Sequence, residues 1–225
     1  MIPLRDTVKS RTVPFVNYLL IGVCGVVYLY EVSLGDQINT LFASFAVIPA
    51  NVSTTVFHGN LSLQPLTTLF SSMFLHGGLM HLLGNMLYLY IFGDNVEDRL
   101  GHGMYLFFYI ASGIGAALVE VYFHQQSGLP LIGASGAIAG VLGAYFILYP
   151  RAKVLTMIPL FVYFPVVEIY AFFFLGLWLV MQFLQGGMAA GADAGGGVAW
   201  WAHAGGFVIG ALVLSLLLVI KRLRR

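Results

Sequence analysis

The chain has 225 residues, of which 60% are hydrophobic and 8% charged, with a formal net charge of +1. An ordinary globular domain is about 25% charged, so there are too few ionic groups to cover a water-facing surface, and the composition indicates a polytopic membrane protein. Near-zero net charge excludes a phosphate-neutralising nucleic-acid surface, and the single cysteine, Cys24, can close no intrachain disulfide and reads as a small packed hydrophobe.

Six apolar stretches match or nearly match the about 20 residues that cross a hydrocarbon core of about 30 Å. They run over residues 13–32, 78–95, 103–123, 133–149, 159–184 and 198–220. The first is too long for a cleavable signal peptide, and no small-x-small site follows it before Glu31. The fourth is short, which predicts a helix with one end below the membrane surface. The expected fold is therefore an all-α bundle of six transmembrane helices forming one membrane domain, 1–225. Residues 1–12 form its N-terminal segment and 221–225 its basic tail.

The basic residues give the orientation. Arg5, Lys9 and Arg11 precede the first stretch, Arg99 follows the second, Arg151 and Lys153 follow the fourth, and Lys221, Arg222, Arg224 and Arg225 follow the sixth. Six crossings place all of them on one side, which the positive-inside rule makes cytoplasmic, with both termini in. The other side carries the loop 33–64, a short link near 125–130, and the Gly- and Ala-rich segment 186–197. That composition predicts a linker, and its position just before His203 leaves a gating role open. Asn51-Val52-Ser53 and Asn60-Leu61-Ser62 are glycosylation sequons in the outer loop. No internal repeat suggests a transporter built from inverted halves.

Each strongly polar side chain within an apolar span needs a reason. The second stretch carries His81 and Asn85, an i,i+4 pair on one helical face, the fourth carries Ser135, and the sixth carries His203. At about 1.5 Å per residue, all four lie within about 10 Å of where their helices begin, on the outer side. Taken singly, a serine hydrogen-bonding its own backbone, a packed histidine or an asparagine gluing two helices would be ordinary. Their shared depth is not. Gly136 and Gly140 form a small-xxx-small face beside Ser135, and Gly206 and Gly210 form another beside His203. If these stripes meet, Ser135 and His203 come within reach as a base-activated nucleophile. The N-terminal position of Ser135 favours a developing negative charge, to which His81 and Asn85 can donate.

Other schemes lack their parts. There is no His-Glu-x-x-His motif and no second intramembrane Asp to pair with Asp94, so no metal or cofactor is implied. No acidic residue adjoins His203 in sequence, which favours a dyad over a triad, and Glu168 in the fifth stretch has no assignable partner.

The motifs continue beyond these residues. They are Phe74-Leu75-His76-Gly77-Gly78-Leu79-Met80-His81-Leu82-Leu83-Gly84-Asn85, Gly93, Val96-Glu97-Asp98-Arg99-Leu100-Gly101, Gly133-Ala134-Ser135-Gly136, and His203-Ala204-Gly205-Gly206 ending at Gly210. In this order and spacing the chain resembles the rhomboid intramembrane serine proteases over nearly its whole length. The resemblance implies that Ser135 is the nucleophile and His203 the general base and acid. It also implies that the Ser135 amide, His81 and Asn85, beside Gly133, bind the oxyanion and substrate. His76 looks like the family's scaffold histidine and Glu97 like a structural residue, while 33–64 corresponds to a partly embedded outer loop. The implied substrates are transmembrane proteins cut near the outer face, and a compact chain suggests a prokaryotic inner membrane. Some members have an aromatic residue one turn after the nucleophile, packed on the histidine. Ala139 stands there in this chain, so Trp200 or Trp201 is expected to hold the imidazole, and the aromatic-basic pair of the first outer loop is also missing. Two other readings remain: a non-catalytic relative that binds client helices, and a small channel with His76, His81 and His203 along its path.

Overall fold

The structure, a computed structural model, describes residues 1–59, 62–189 and 198–223. Asn60 and Leu61 of the second sequon, most of the Gly-rich segment considered for gating, and the last two arginines of the tail lie outside the described residues. The helices are α1 (Phe15–Ser33), α2 (Ile38–Phe45), α3 (Pro49–Val56), α4 (Leu63–Ser71), α5 (Leu79–Leu100), α6 (His102–Phe123), α7 (Ser135–Leu148), α8 (Ala171–Ala189) and α9 (Trp200–Leu223). Three strands, β1 (Ile2–Asp6), β2 (Lys153–Met157) and β3 (Val166–Tyr170), accompany them.

Among the described residues α1, α6, α8 and α9 are each long and apolar enough to cross a membrane, so the chain is an integral membrane protein. The α4 segment meets α5 at a bend of 80°, either a broken span or a re-entrant loop, and α7 is a shorter apolar helix of 14 residues. Every residue of α7 from Gly136 through Tyr145 is buried. A helix that is apolar all round has no face to offer water, and the rest of the bundle wraps it.

Glycine sets how closely. A Cβ added at Gly206 would lie 2.3 Å from the Gly136 carbonyl oxygen, and one at Gly210 would lie 2.2 Å from that of Gly140. The two pairs share one sequence offset, so α7 and α9 run parallel and in register, their small faces touching through bare backbone. On the other side of α7, Gly136 and Gly140 meet Ala116 and Ser112 of α6.

Carboxylates tie helix starts to distant helices. Glu97 of α5 accepts the N–H groups of Val16 (2.9 Å) and Asn17 (2.7 Å), donors that the first turn of α1 cannot satisfy itself. Glu120 of α6 does the same for the Ala202 N–H at the start of α9, at 2.7 Å. Gly93 lets α1 approach α5, where Asn17 donates to the Leu89 carbonyl and accepts from the Tyr105 hydroxyl.

The all-α expectation needs correction. An antiparallel sheet, in the order β1-β2-β3, closes the end of the bundle that carries Arg5 and Lys153. The fifth stretch, read as 159–184, divides into a hairpin turn, β3, and a helix that begins only at Ala171. Hydropathy cannot separate strand from helix inside a continuous apolar run, although Val166, Val167 and Ile169 are β-branched. Glu168 does have a partner, Lys153, whose ammonium lies 2.8 Å away across the β2–β3 ladder. The pair holds the lysine above its usual range and the carboxyl below it, each charge favouring the other. Asp6 of β1 accepts from the Asn95 amide and the Tyr145 hydroxyl, which fastens the sheet to α5 and α7.

Candidate active site

Ser135 is the first residue of α7, and the turn into it requires Gly133, whose φ of 121° is closed to most L side chains. The Gly133 N–H donates to the Ser72 carbonyl (2.9 Å), fixing this turn against the segment that leads into α5. A Cβ added at Gly133 would lie 2.7 Å from His81 Nε2 and 3.7 Å from Asn85 Nδ2. His81 and Asn85, one turn apart on α5, therefore press on the backbone just ahead of Ser135.

Both are set to donate. His81 Nδ1 accepts the Gly77 N–H at 3.4 Å, which leaves the ring proton on Nε2, the atom facing Gly133. Asn85 is buried, and among the described residues its Nδ2 has no hydrogen-bond partner. Leaving a buried donor unmade costs about 1–3 kcal/mol, so such groups are uncommon without a functional reason. His76 braces this arrangement. Its N–H donates to Glu31 of α1 at 3.0 Å, and its ring stands edge-on to His81 with centroids 5.2 Å apart.

His203 lies in the first turn of α9. Because Gly206 faces Gly136, His203 sits about two residues, roughly 3 Å, above Ser135 along the shared axis. Its Nδ1 lies 2.8 Å from Gln182 Oε1 of α8. The Gln182 amide nitrogen donates to the Trp178 carbonyl (3.2 Å), which can only accept, so the amide oxygen must face the imidazole. It follows that Nδ1 carries the ring proton and Nε2 holds the basic lone pair.

Trp178 and Trp200 flank the ring, with centroids 5.9 and 6.2 Å away. Trp201 instead stacks on Phe123 at 4.1 Å. Sequence reasoning named neither Gln182 nor Trp178, although Gln182 carried a usable signal: it is a strongly polar residue in an apolar helix, one turn from a tryptophan.

Ser135, His81, Asn85, Trp178 and His203 all line one cavity of about 690 Å³. Ser135 and His203 both open into it, and neither hydrogen bonds to the other. Among the described residues no cluster of three or more His, Cys, Asp or Glu could hold a metal ion. The arrangement offers an alcohol at a helix start, a base of defined tautomer, and two donors on one side of a cavity.

A family model described as the Rhomboid domain matches residues 64–220. The mitochondrial rhomboid protein 1 of Saccharomyces cerevisiae is 35% identical over 150 residues, 64% of this chain and 40% of that protein. Rhomboid protease AarA of Providencia stuartii is 29% identical over 215 residues, covering 88% of this chain and 71% of that protein. Rhomboid protease GlpG of Klebsiella pneumoniae is 29% identical over 142 residues, 63% of this chain and 46% of that protein. The chain thus matches less than half the length of the yeast and Klebsiella relatives.

Proposed function

The chain belongs to the rhomboid family, and on that premise we propose that it is an intramembrane serine endopeptidase working through a Ser135–His203 dyad. The observation that carries this reading is the buried, unpartnered Asn85 Nδ2 beside His81 Nε2, both at the turn that delivers Ser135. These are donors arranged where negative charge would develop.

His203 Nε2 takes the Ser135 proton as Oγ attacks the scissile carbonyl carbon. The resulting oxyanion accepts from His81 Nε2–H, Asn85 Nδ2–H and the Ser135 N–H, which the start of α7 leaves free. The imidazolium returns its proton from Nε2 to the leaving amine. Water, activated by the same nitrogen, then hydrolyses the acyl-enzyme. Substrate closes the remaining Ser135–His203 gap, since catalytic hydrogen bonds tighten in the bound complex.

In this reading α1, α5, α6, α7, α8 and α9 make six crossings in a single membrane domain, with both termini and every described Lys and Arg cytoplasmic. The cavity then opens on the extracytoplasmic side of a prokaryotic inner membrane, towards transmembrane protein substrates. A fluorophosphonate probe is expected to label the purified protein in detergent or liposomes, with labelling lost in Ser135→Ala and in His203→Ala. No labelling of correctly folded wild-type protein, or equal labelling of Ser135→Ala, would favour a non-catalytic helix-binding relative.

Gln182 is a positioning residue in this scheme. Gln182→Met keeps the volume and removes the acceptor, and one neutral hydrogen bond of about 1–1.5 kcal/mol corresponds to roughly a tenfold loss in kcat with little change in KM. Gln182→Glu places a carboxylate against the ring. It should move the acid limb of the pH–rate profile to higher pH by about one unit, because a nearby negative charge favours the imidazolium. An unchanged kcat in the first variant and an unchanged profile in the second would leave Gln182 as packing alone.

A further inference from the structure

The α7–α8 connection contains a β-hairpin whose tip is left uncovered by the described residues. Leu160 and Tyr163 exchange backbone hydrogen bonds at 2.9 Å in both directions around a two-residue turn of Phe161 and Val162. Phe161 is fully exposed and Val162 95% exposed, and Leu160, Tyr163 and Phe164 are each more than half exposed. Phe161 also has a φ of 53°, the left-handed region where such turns ordinarily use glycine or asparagine. The chain keeps a bulky aromatic at the apex despite that strain. From Val154 through Val167 no residue is charged.

Three further observations indicate what covers the tip. First, the apolar surface is continuous with a membrane face. The Ala171 and Phe172 N–H groups donate to the Ala152 and Pro150 carbonyls, so α8 starts at the hairpin base without a linker. The exposed Phe172, Phe173 and Leu177 of this membrane-spanning helix carry the surface onward. Second, the hairpin's backbone suits a half-hydrated boundary. Ile158, Leu160 and Tyr163 N–H groups are paired across the ladder, and Pro159 and Pro165 have none to satisfy, which leaves those of Phe161, Val162 and Phe164 for headgroup oxygens or water. Third, charge is confined to the base, where Arg5 and Arg151 are exposed and form no ion pair among the described residues. Apolar tip, aromatic rings and basic base match, in order, acyl chains, the interfacial belt and anionic headgroups.

We propose that the β2–β3 hairpin is an interfacial anchor: residues 160–164 lie in the headgroup–acyl boundary of the leaflet on the chain's basic side, with Arg5 and Arg151 at the lipid phosphates. Because β3 runs directly into α8, the anchor fixes that end of the helix bearing Gln182 and Trp178 to the bilayer.

The test uses the whole protein reconstituted in phosphatidylethanolamine vesicles containing phosphatidylglycerol. Cys24 is fully buried, so a nitroxide on Val162→Cys or Arg151→Cys reports from one place. Power-saturation electron paramagnetic resonance should show the Val162→Cys label relaxed mainly by dissolved oxygen, at a depth of about 5–10 Å. The Arg151→Cys label should be relaxed mainly by a water-soluble nickel chelate, with a several-fold difference in the oxygen-to-chelate ratio. Chelate-dominated relaxation at Val162→Cys would place the hairpin in water and overturn the proposal. Dipolar broadening with neither relaxant reaching the label would assign the tip to a second copy of the chain, and would overturn it equally.

Discussion

Ser135→Ala and His203→Ala are each expected to abolish cleavage of a model transmembrane substrate, by about 10⁶-fold if the pair acts as nucleophiles and bases do in soluble serine enzymes. The double variant should be no worse than either single one. A hydroxyl with no base to activate it is as inert as a methyl group, and a base with no nucleophile has nothing to deprotonate. Losses that multiplied in the double variant would mean the two residues act separately. Thermal unfolding should barely change in Ser135→Ala, since the hydroxyl makes no hydrogen bond to His203 and lies beside a cavity rather than in a packed contact.

The second large effect concerns backbone contact. Gly206→Ala and Gly210→Ala each push a methyl group to within 2.3 Å of a carbonyl oxygen of α7. No side-chain rotation relieves this, because the obstructing atoms are backbone. The helices must separate by about 1 Å. Overpacking of this kind costs about 1–3 kcal/mol, and a 1 Å misplacement of reacting groups costs about 10²-fold in rate. Both variants should therefore unfold at lower temperature and cleave about a hundredfold more slowly. Gly22→Ala on α1, where an added Cβ meets nothing within 4 Å, serves as the control. It should leave activity intact and be neutral or slightly stabilising, by up to about 1 kcal/mol from helix propensity. Equal damage at Gly22 would remove the argument for a special α7–α9 contact.

Much of the candidate site was legible because the bilayer makes polarity conspicuous. Ser135, His203, His81 and Asn85 stand out in apolar runs, and the glycine spacing told which faces meet. Gln182 obeys the same rule but is neutral, and in the fifth stretch the charged Glu168 is the more conspicuous polar residue. The choice between Trp200 and Trp201 was not legible. Adjacent residues on a helix point about 100° apart, and which one faces His203 depends on the rotation of α9, fixed by its contacts with α6 and α7. Nor was the sheet legible. The β1–β2 pairing joins the N-terminal segment to a loop far along the chain with no local periodicity to announce it, and the β2–β3 hairpin ends in an apolar run that reads equally as helix.

The count of crossings shows the limit of hydropathy. Among the described residues four helices meet the length and apolarity test alone. The α5 helix falls short because it carries His81, Asn85, Asp94, Asn95, Glu97 and Asp98. A helix becomes less recognisable as a span in proportion to the polar work it does.

The first turn of α1 begins after Pro14 with no side-chain cap of its own and borrows the Glu97 carboxylate, some eighty residues later in the chain. During synthesis that helix emerges well before its cap exists. Its first amides can be capped by the protein only once α5 arrives, so Glu97 couples the start of α1 to a helix made much later.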